Sequence, residues 1–405
     1  MFTSFSKTAT ATLLLFSYLL CGAVAPNAQS CLKWYAPGVS WLFVAPAKHT
    51  EIPKDDQLAK SRYQIRMRTQ WTDPTCVEGE DECVSCHQQE TQAWLASKHS
   101  SHAFDLLRTS AKAIHYARKL GIAKSEITTN SLCLNCHATI SNDFESTRGM
   151  IQGVSCEACH NASGGQNGWL NIHGVYGTNG TGRRSESESH YNFRKARNDA
   201  TGQLGPTNLY GLTKRCFECH VTADEELINA GHNQGQGFEF VIKSQGEVRH
   251  NFFVDPGHNA KVSSIWTSDI HGEKNRNADQ RLRVMFVLGQ MVDLEVSLRN
   301  LARATDENDL SDSMFERIDN AYTLLAEDVI DALDDASEDP AYSHIEAVVE
   351  AVEPIWEQLC DDGFDCEKTK KYVEIADLIA DIAKKFSYLD GSALTELDDL
   401  DLIPE

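Results

Sequence analysis

Along this 405-residue chain the spacing of apolar positions changes character at about residue 277. Beyond that point apolar residues recur every third or fourth position over long stretches with few glycines, the pattern of amphipathic helices. It predicts four helices: Asp279 to Ala304, Leu310 to Leu333, Tyr342 to Leu359 and Cys366 to Phe386. Leu310, Met314, Ile318, Ala321 and Leu325 mark one buried stripe. Pro340 suits a helix start, whereas Pro354 should kink or break the third helix. Four such helices are expected to form an antiparallel bundle. The middle of the chain reads differently. Gly164, Gly165, Gly168, Gly174, Gly177, Gly180 and Gly182 punctuate it, and Ser185 to Ser189 alternates with glutamate as a solvated tip. A longer helix is predicted there from about Glu90 to Leu120, on the spacing of Trp94, Leu95, Phe104, Leu106, Leu107, Ile114 and Ala117. At the start, Lys7 precedes an apolar run from Ala11 to Ala25 and then small residues, which reads as a secretory signal over residues 1–30. That run is about fifteen residues, short of the roughly 20 that cross a bilayer as a helix, and no later run is longer, so no transmembrane span is expected.

The cysteines sharpen this outline. Eight of the thirteen fall into four copies of one pattern: Cys83-Val84-Ser85-Cys86-His87, Cys133-Leu134-Asn135-Cys136-His137, Cys156-Glu157-Ala158-Cys159-His160 and Cys216-Phe217-Glu218-Cys219-His220. Two residues between the thiols let both reach the vinyl groups of one porphyrin, and the adjacent histidine then lies under the iron. The pattern therefore predicts four covalently bound haem c groups, attached through Cys83, Cys86, Cys133, Cys136, Cys156, Cys159, Cys216 and Cys219, with His87, His137, His160 and His220 as iron ligands. A zinc ribbon also uses paired CxxC, but it leaves the four histidines unexplained. Cys21 lies inside the signal. Cys31, Cys76, Cys360 and Cys366 remain, and an oxidising compartment would pair them as Cys31–Cys76 and Cys360–Cys366. The motifs occupy 138 residues from Cys83 to His220. That leaves about 35 per haem, too few for a normal side-chain core, so the haems should form it.

Charge divides the chain at the same place. Residues 277 to 405 hold 33 acidic and 10 basic side chains, leaving 26 acidic and 27 basic before them, so the formal charge of −22 belongs to the helical part. Such a balance excludes a nucleic-acid footprint. It reads as a solvated helix face or, more sharply, as a docking surface that steers a basic redox partner. The expected organisation is a signal over 1–30, a tetrahaem domain over 31–276, an acidic helical bundle over 277–390 and an acidic tail over 391–405. The fold class is mainly α, a loop-rich haem core with short helices followed by the bundle.

Each iron needs a second axial ligand. Outside the initiator and the bundle only Met67 and Met150 are available, against His99, His102, His115, His173, His190, His232, His250, His258 and His271. Bis-histidine ligation is expected, and with it a low potential. The order of CxxCH, Trp94-x-x-Ser97-x-His99, CxxCH, Gly153-Val154-Ser155-Cys156-Glu157-Ala158-Cys159-His160 and Arg215-Cys216-x-x-Cys219-His220 resembles the tetrahaem cytochrome c-554 family, over about residues 76 to 255. The resemblance implies a compact cluster of stacked porphyrins. By position it assigns His173 to haem 1, His99 to haem 4 and His232 to haem 3. Haem 2 lacks a distal protein ligand in that family; here His250 or His102 would close it, or His102 would serve as a hydrogen-bond partner near His99. His115 and His190 read as exposed polar residues. The long helices after residue 277 depart from the family's compact member.

An exported electron carrier, periplasmic or else on the cell exterior, is the leading expectation, with redox proteins as partners and no catalytic site. Two alternatives belong to other classes. One is an enzyme reducing or oxidising nitric oxide, nitrite or hydroxylamine at an open haem 2. The other is an oligomeric subunit of an extracellular cytochrome filament.

Overall fold

The computed structural model describes residues 76–84, 87–140, 150–151, 153–164, 202–205, 208–245, 278–333 and 338–398, with a few isolated positions besides. The signal segment, Cys31, Cys86, His173, His190 and His250 lie outside the described residues, as does most of the glycine-rich stretch.

The fold is mainly α. Short helices fill the motif-bearing half: α1 (Glu80–Val84), α2 (Gln88–Ala96), α3 (Ser101–Thr109), α4 (Ala111–Lys119), α5 (Ser131–His137), α6 (Cys156–His160), α7 (Leu209–His220), α8 (Glu225–Asn229) and α9 (Phe240–Gln245). A two-residue antiparallel pair, Thr139–Ile140 with Met150–Ile151, follows α5. The helix expected from Glu90 to Leu120 is instead three helices, and serines explain the breaks. Ser97 Oγ donates to the Trp94 carbonyl at 2.7 Å and Ser100 Oγ to the Ser97 carbonyl at 2.9 Å. Ser110 caps α4 by accepting from the Ala113 amide. Serine hydroxyls compete for backbone partners in this way and favour helix ends over interiors. The interruption puts His99 in a turn between α2 and α3.

Four long elements make up the other half: α10 (Ala278–Leu301), α11 (Asp309–Thr323), α12 (Pro340–Asp362) and α13 (Thr369–Phe386). Asn308 and Ser311 form a reciprocal capping box at the start of α11, which runs on through a π-helical stretch, Leu324–Val329. Asp339 caps α12 and Pro340 is its first residue, as expected. Pro354, expected to kink or break that helix, lies inside it without interrupting it. Its position is exposed, so water can satisfy the carbonyl that loses its donor one turn earlier. The expected Cys360–Cys366 disulfide is also absent: both are free, exposed thiols. Cys360 is carried out on the last turn of α12, and the chain then reverses at Gly363, with φ +75°, before Cys366 opens a separate 3-10 turn.

Helix α10 is the hub. It packs against α11, α13, α7 and α9, and the run from Leu282 through Leu288 is buried without interruption. A helix covered on all sides has no solvent face, which distinguishes it from its amphipathic neighbours. The apolar core does not stop at residue 277. Leu209, Tyr210, Phe217, Val221, Ile228, Phe238, Phe240 and Val241 join the same cluster as Met285, Leu298, Ile318, Ile355 and Phe386. A second, small cluster of Phe104, Leu107, Ala117, Ile122, Ile127, Leu134 and Ala138 lies under α5.

Candidate functional site

Motifs two, three and four each end a helix with the motif histidine as its last residue, while the first begins on α1 and continues past it. On a helix the two cysteines, three positions apart, share a face. Asn130 caps α5 through the Leu132 amide at 3.0 Å and Asn208 caps α7 through the Gly211 amide at 2.9 Å. The described motif cysteines are all half-buried, and none of them is in a disulfide. Burial pushes the Cys133 thiol up to about 11, and burial likewise raises Cys216. Cys83 is raised first by its hydrogen bond with Cys156 and then by burial. The first and third motifs therefore approach each other at Cys83 and Cys156, and the third and fourth at Cys159 and Cys216.

Glu157, between the cysteines of the third motif, is fully buried. Its carboxylate accepts from the Gly79 amide at 2.9 Å, the Glu78 amide at 3.1 Å, the Ser163 amide at 2.7 Å and the Ser163 hydroxyl at 2.6 Å. One side chain thus ties the approach to motif one onto motif three. Charge-assisted bonds of this kind are the strong ones, and they offset the cost of burying the charge. On the other side, buried Arg215 bonds Glu218 at 3.0 Å and reaches the Asn161 side chain, whose amide nitrogen donates to the Gly202 carbonyl at 2.7 Å. This joins motif four to the residue following His160.

Three of the four motif histidines, His87, His137 and His160, are oriented in a common way. His137 Nδ1 lies 2.8 Å from the Ala103 carbonyl oxygen and His160 Nδ1 lies 2.6 Å from that of Leu204. A carbonyl only accepts, so the proton sits on Nδ1 and Nε2 carries the lone pair that iron requires. His87 makes the equivalent contact with the Glu90 carboxylate at 2.8 Å. These residues fit haem.

The fit at the fourth motif extends to a second ligand. The His99 and His220 rings have centroids 5.9 Å apart and planes 70° apart. Two imidazoles sharing one metal, with metal–nitrogen bonds of about 2 Å, place their ring centres roughly 6 Å apart. The turn bearing His99 is fixed by segment 153–155: the Val154 amide donates to the His99 carbonyl at 2.6 Å and the Trp94 indole to the Val154 carbonyl at 2.7 Å. Gly153 is required there. Its φ is +118° and an added Cβ would lie 2.1 Å from the Ser100 carbonyl oxygen. Trp94, Ser97, His99 and Gly153, separate in the sequence pattern, are one structure.

His232, expected at haem 3, follows Gly231 in a turn, with Nδ1 2.9 Å from the Asn233 carbonyl and its ring 5.7 Å from that of Tyr116. His102 and His115 are exposed on α3 and α4. His173, His250 and Cys86 fall outside the described residues. The sequence reading missed Glu157, which looks like a motif spacer, and Phe238, which stacks on His220 with centroids 4.4 Å apart from within a loop that has no periodicity.

Residues 82–161, which hold the first three motifs, match the family model described as Cytochrome c554 and c-prime. The cytochrome c-554 of Nitrosomonas europaea is 32% identical over 88 residues, a stretch covering 20% of this chain and 37% of that protein. The match thus spans little more than a third of that relative's length. No solved structure matches. Over these motif-bearing residues, the chain is similar to the cytochrome c554 family.

Proposed function

We propose that this chain is an exported tetrahaem c-type cytochrome that passes electrons between redox partner proteins in respiration. In this reading residues 1–30 direct export to the periplasm, 31–276 hold four haem c groups, 277–390 form an acidic helical bundle and 391–405 a tail. The observation that carries it is the His99–His220 pair at 5.9 Å, a spacing that suits two ligands of one iron and that joins a histidine outside the motifs to the last residue of the fourth. Haem supplies reversible one-electron chemistry when bound. The chain's own contribution is to orient His87, His137 and His160 through Nδ1 and to bring motifs one, three and four side by side through Glu157 and Arg215. Among the described residues no helix is long and apolar enough to cross a membrane.

Intact-mass measurement of the secreted protein, joined to electron paramagnetic resonance of the oxidised form, tests this. The expected result is four haem masses added to the chain, with His99→Ala converting one low-spin iron to high spin. A mature chain of bare polypeptide mass would overturn the haem reading, and a His99→Ala spectrum identical to wild type would overturn the ligand assignment. The same spectrum reports on an enzymatic alternative, in which haem 2 would give a high-spin signal before any substitution.

A further inference from the structure

Beside the direct packing of α7 on α10, one loop links the C-terminal helices to the His220 end of the fourth motif, and we propose that they set the angle at which the His220 imidazole stands, using Phe238 as the clamp and an Arg317–Asp293 pair as its anchor. The inference rests on His220 being a haem ligand, as argued above.

An imidazole bound through Nε2 can turn about its metal bond unless something holds its plane. At His87, His137 and His160 an oxygen on Nδ1 does so. At His220, among the described residues, no oxygen takes that role, and the ring is bounded by other rings. Phe238 lies nearly parallel to it, with centroids 4.4 Å apart and planes 16° apart. Phe217 meets Phe238 edge-on at 5.0 Å and 85°. Stacking over a flat face restrains rotation as a hydrogen bond would, without adding electron density to the imidazole.

Phe238 is in turn held from the bundle. Its amide donates to the Gly235 carbonyl at 3.0 Å. Gly235 has φ +97°, and a Cβ there would sit 2.4 Å from the His220 carbonyl oxygen, so the loop crosses directly over the ligand's own backbone. The Gly235 carbonyl also accepts from Arg317 Nη1 on α11 at 2.8 Å. Arg317 Nε donates to Asp293 Oδ1 on α10 at 2.8 Å, its second nitrogen to the other carboxylate oxygen, and its guanidinium stands 6.0 Å from the Phe217 ring. Both partners are largely buried. Phe217, Phe238, Asp293 and Arg317 line one small cavity, so loop and anchor face a common space. A planar guanidinium making a fork to a carboxylate while donating to a carbonyl is a rigid strut rather than a loose surface contact.

Two consequences follow for the fourth iron. Its axial planes are fixed near the observed 70°, and crossed planes give a low-spin ferric haem a highly anisotropic resonance. Among the described residues no acceptor on Nδ1 raises the basicity of the His220 imidazole, so the potential of a haem held there would lie above that of haems held by His137 and His160.

The test uses the secreted holoprotein, with haem content checked by intact mass before any spectrum is read. Wild type is expected to show one highly anisotropic low-spin signal. Phe238→Leu and Arg317→Met should each move that signal and the potential of the same haem while the other signals stay in place. Phe238→Tyr, which keeps the flat face, should restore both. If the two disruptive variants carry the wild-type number of haems and give wild-type spectra and potentials, the clamp is refuted. Should they fail to fold, wild type alone decides, since absence of any highly anisotropic signal overturns the fixed 70° arrangement. A protein with no haem mass at all would instead refute the reading on which this one stands.

Discussion

The two halves of the chain solve the problem of a core in opposite ways. Between Ala278 and Phe386, branched and aromatic side chains interlock, and Val284, Met285, Leu288, Leu294, Ile318, Ile345, Ile355 and Phe386 are wholly buried. At about 1.5 to 3 kcal/mol for each large apolar side chain, that burial suffices to order the helices. The half holding motifs one to three has a cluster of seven buried apolar residues and otherwise relies on hydrogen bonds that involve Glu157, Ser97 and Thr139, and on the one that Asn161 accepts from Arg215. Polar ties define a shape, but they do not supply its driving force. The difference teaches that the bundle owns its order, whereas the motif-bearing half, if it holds the proposed haems, borrows its order from them.

The largest effect should come from withholding haem. If the chain is produced without haem attachment, residues 278–398 should keep their helical circular dichroism and a cooperative melt, while residues 76–164 become the first sites of limited proteolysis. Equal resistance in the two halves would erase the contrast. Next comes the join between them. Glu295 is buried between Lys214 at 2.6 Å, Arg299 at 2.8 Å and the Tyr210 hydroxyl at 2.7 Å. Glu295→Ala removes the buried carboxylate that Lys214 and Arg299 share, although Arg299 keeps Asp377 at 2.7 Å, and is expected to cost about 3 kcal/mol by chemical denaturation. Burial pushes the Glu295 carboxyl up, but Lys214 and Arg299 outweigh it and hold the group below the usual carboxylate range. A depressed folded value means that its stabilisation is complete at neutral pH and fades as acid passes that value, so wild type should weaken only below about pH 4, and the variant should lose that part of the acid dependence. Smallest is Asn308→Ala. It removes the cap of α11 and the bond from the Asn308 amide to Glu225 at 2.9 Å, for about 1 kcal/mol in the same denaturation assay and no change in haem content.

How much of this could be read in advance followed from the range of the forces involved. The helices after Leu301 were legible because each buries a stripe through local periodicity, and α10, buried all round, was legible from its long apolar run with few breakers. The break at Ser97 and Ser100 was not, since the apolar spacing of Trp94, Phe104 and Leu107 continues across it while hydroxyl capping ends the helix. Pro354 misled in the opposite sense, because an exposed proline costs a helix one hydrogen bond and need not stop it. At the site, the cysteines and their histidines were visible from chemistry alone, and the pairing of His99 with motif four came from resemblance. Glu157, Phe238 and Arg317 act across 6 to 82 residues of separation, for which no local pattern exists.

The shared core carries one more implication. Leu209, Phe217, Phe240 and Val241 lie under α10 and its neighbours, so a shortened relative that ended before Ala278 would turn a greasy flank toward water and stick to its own kind.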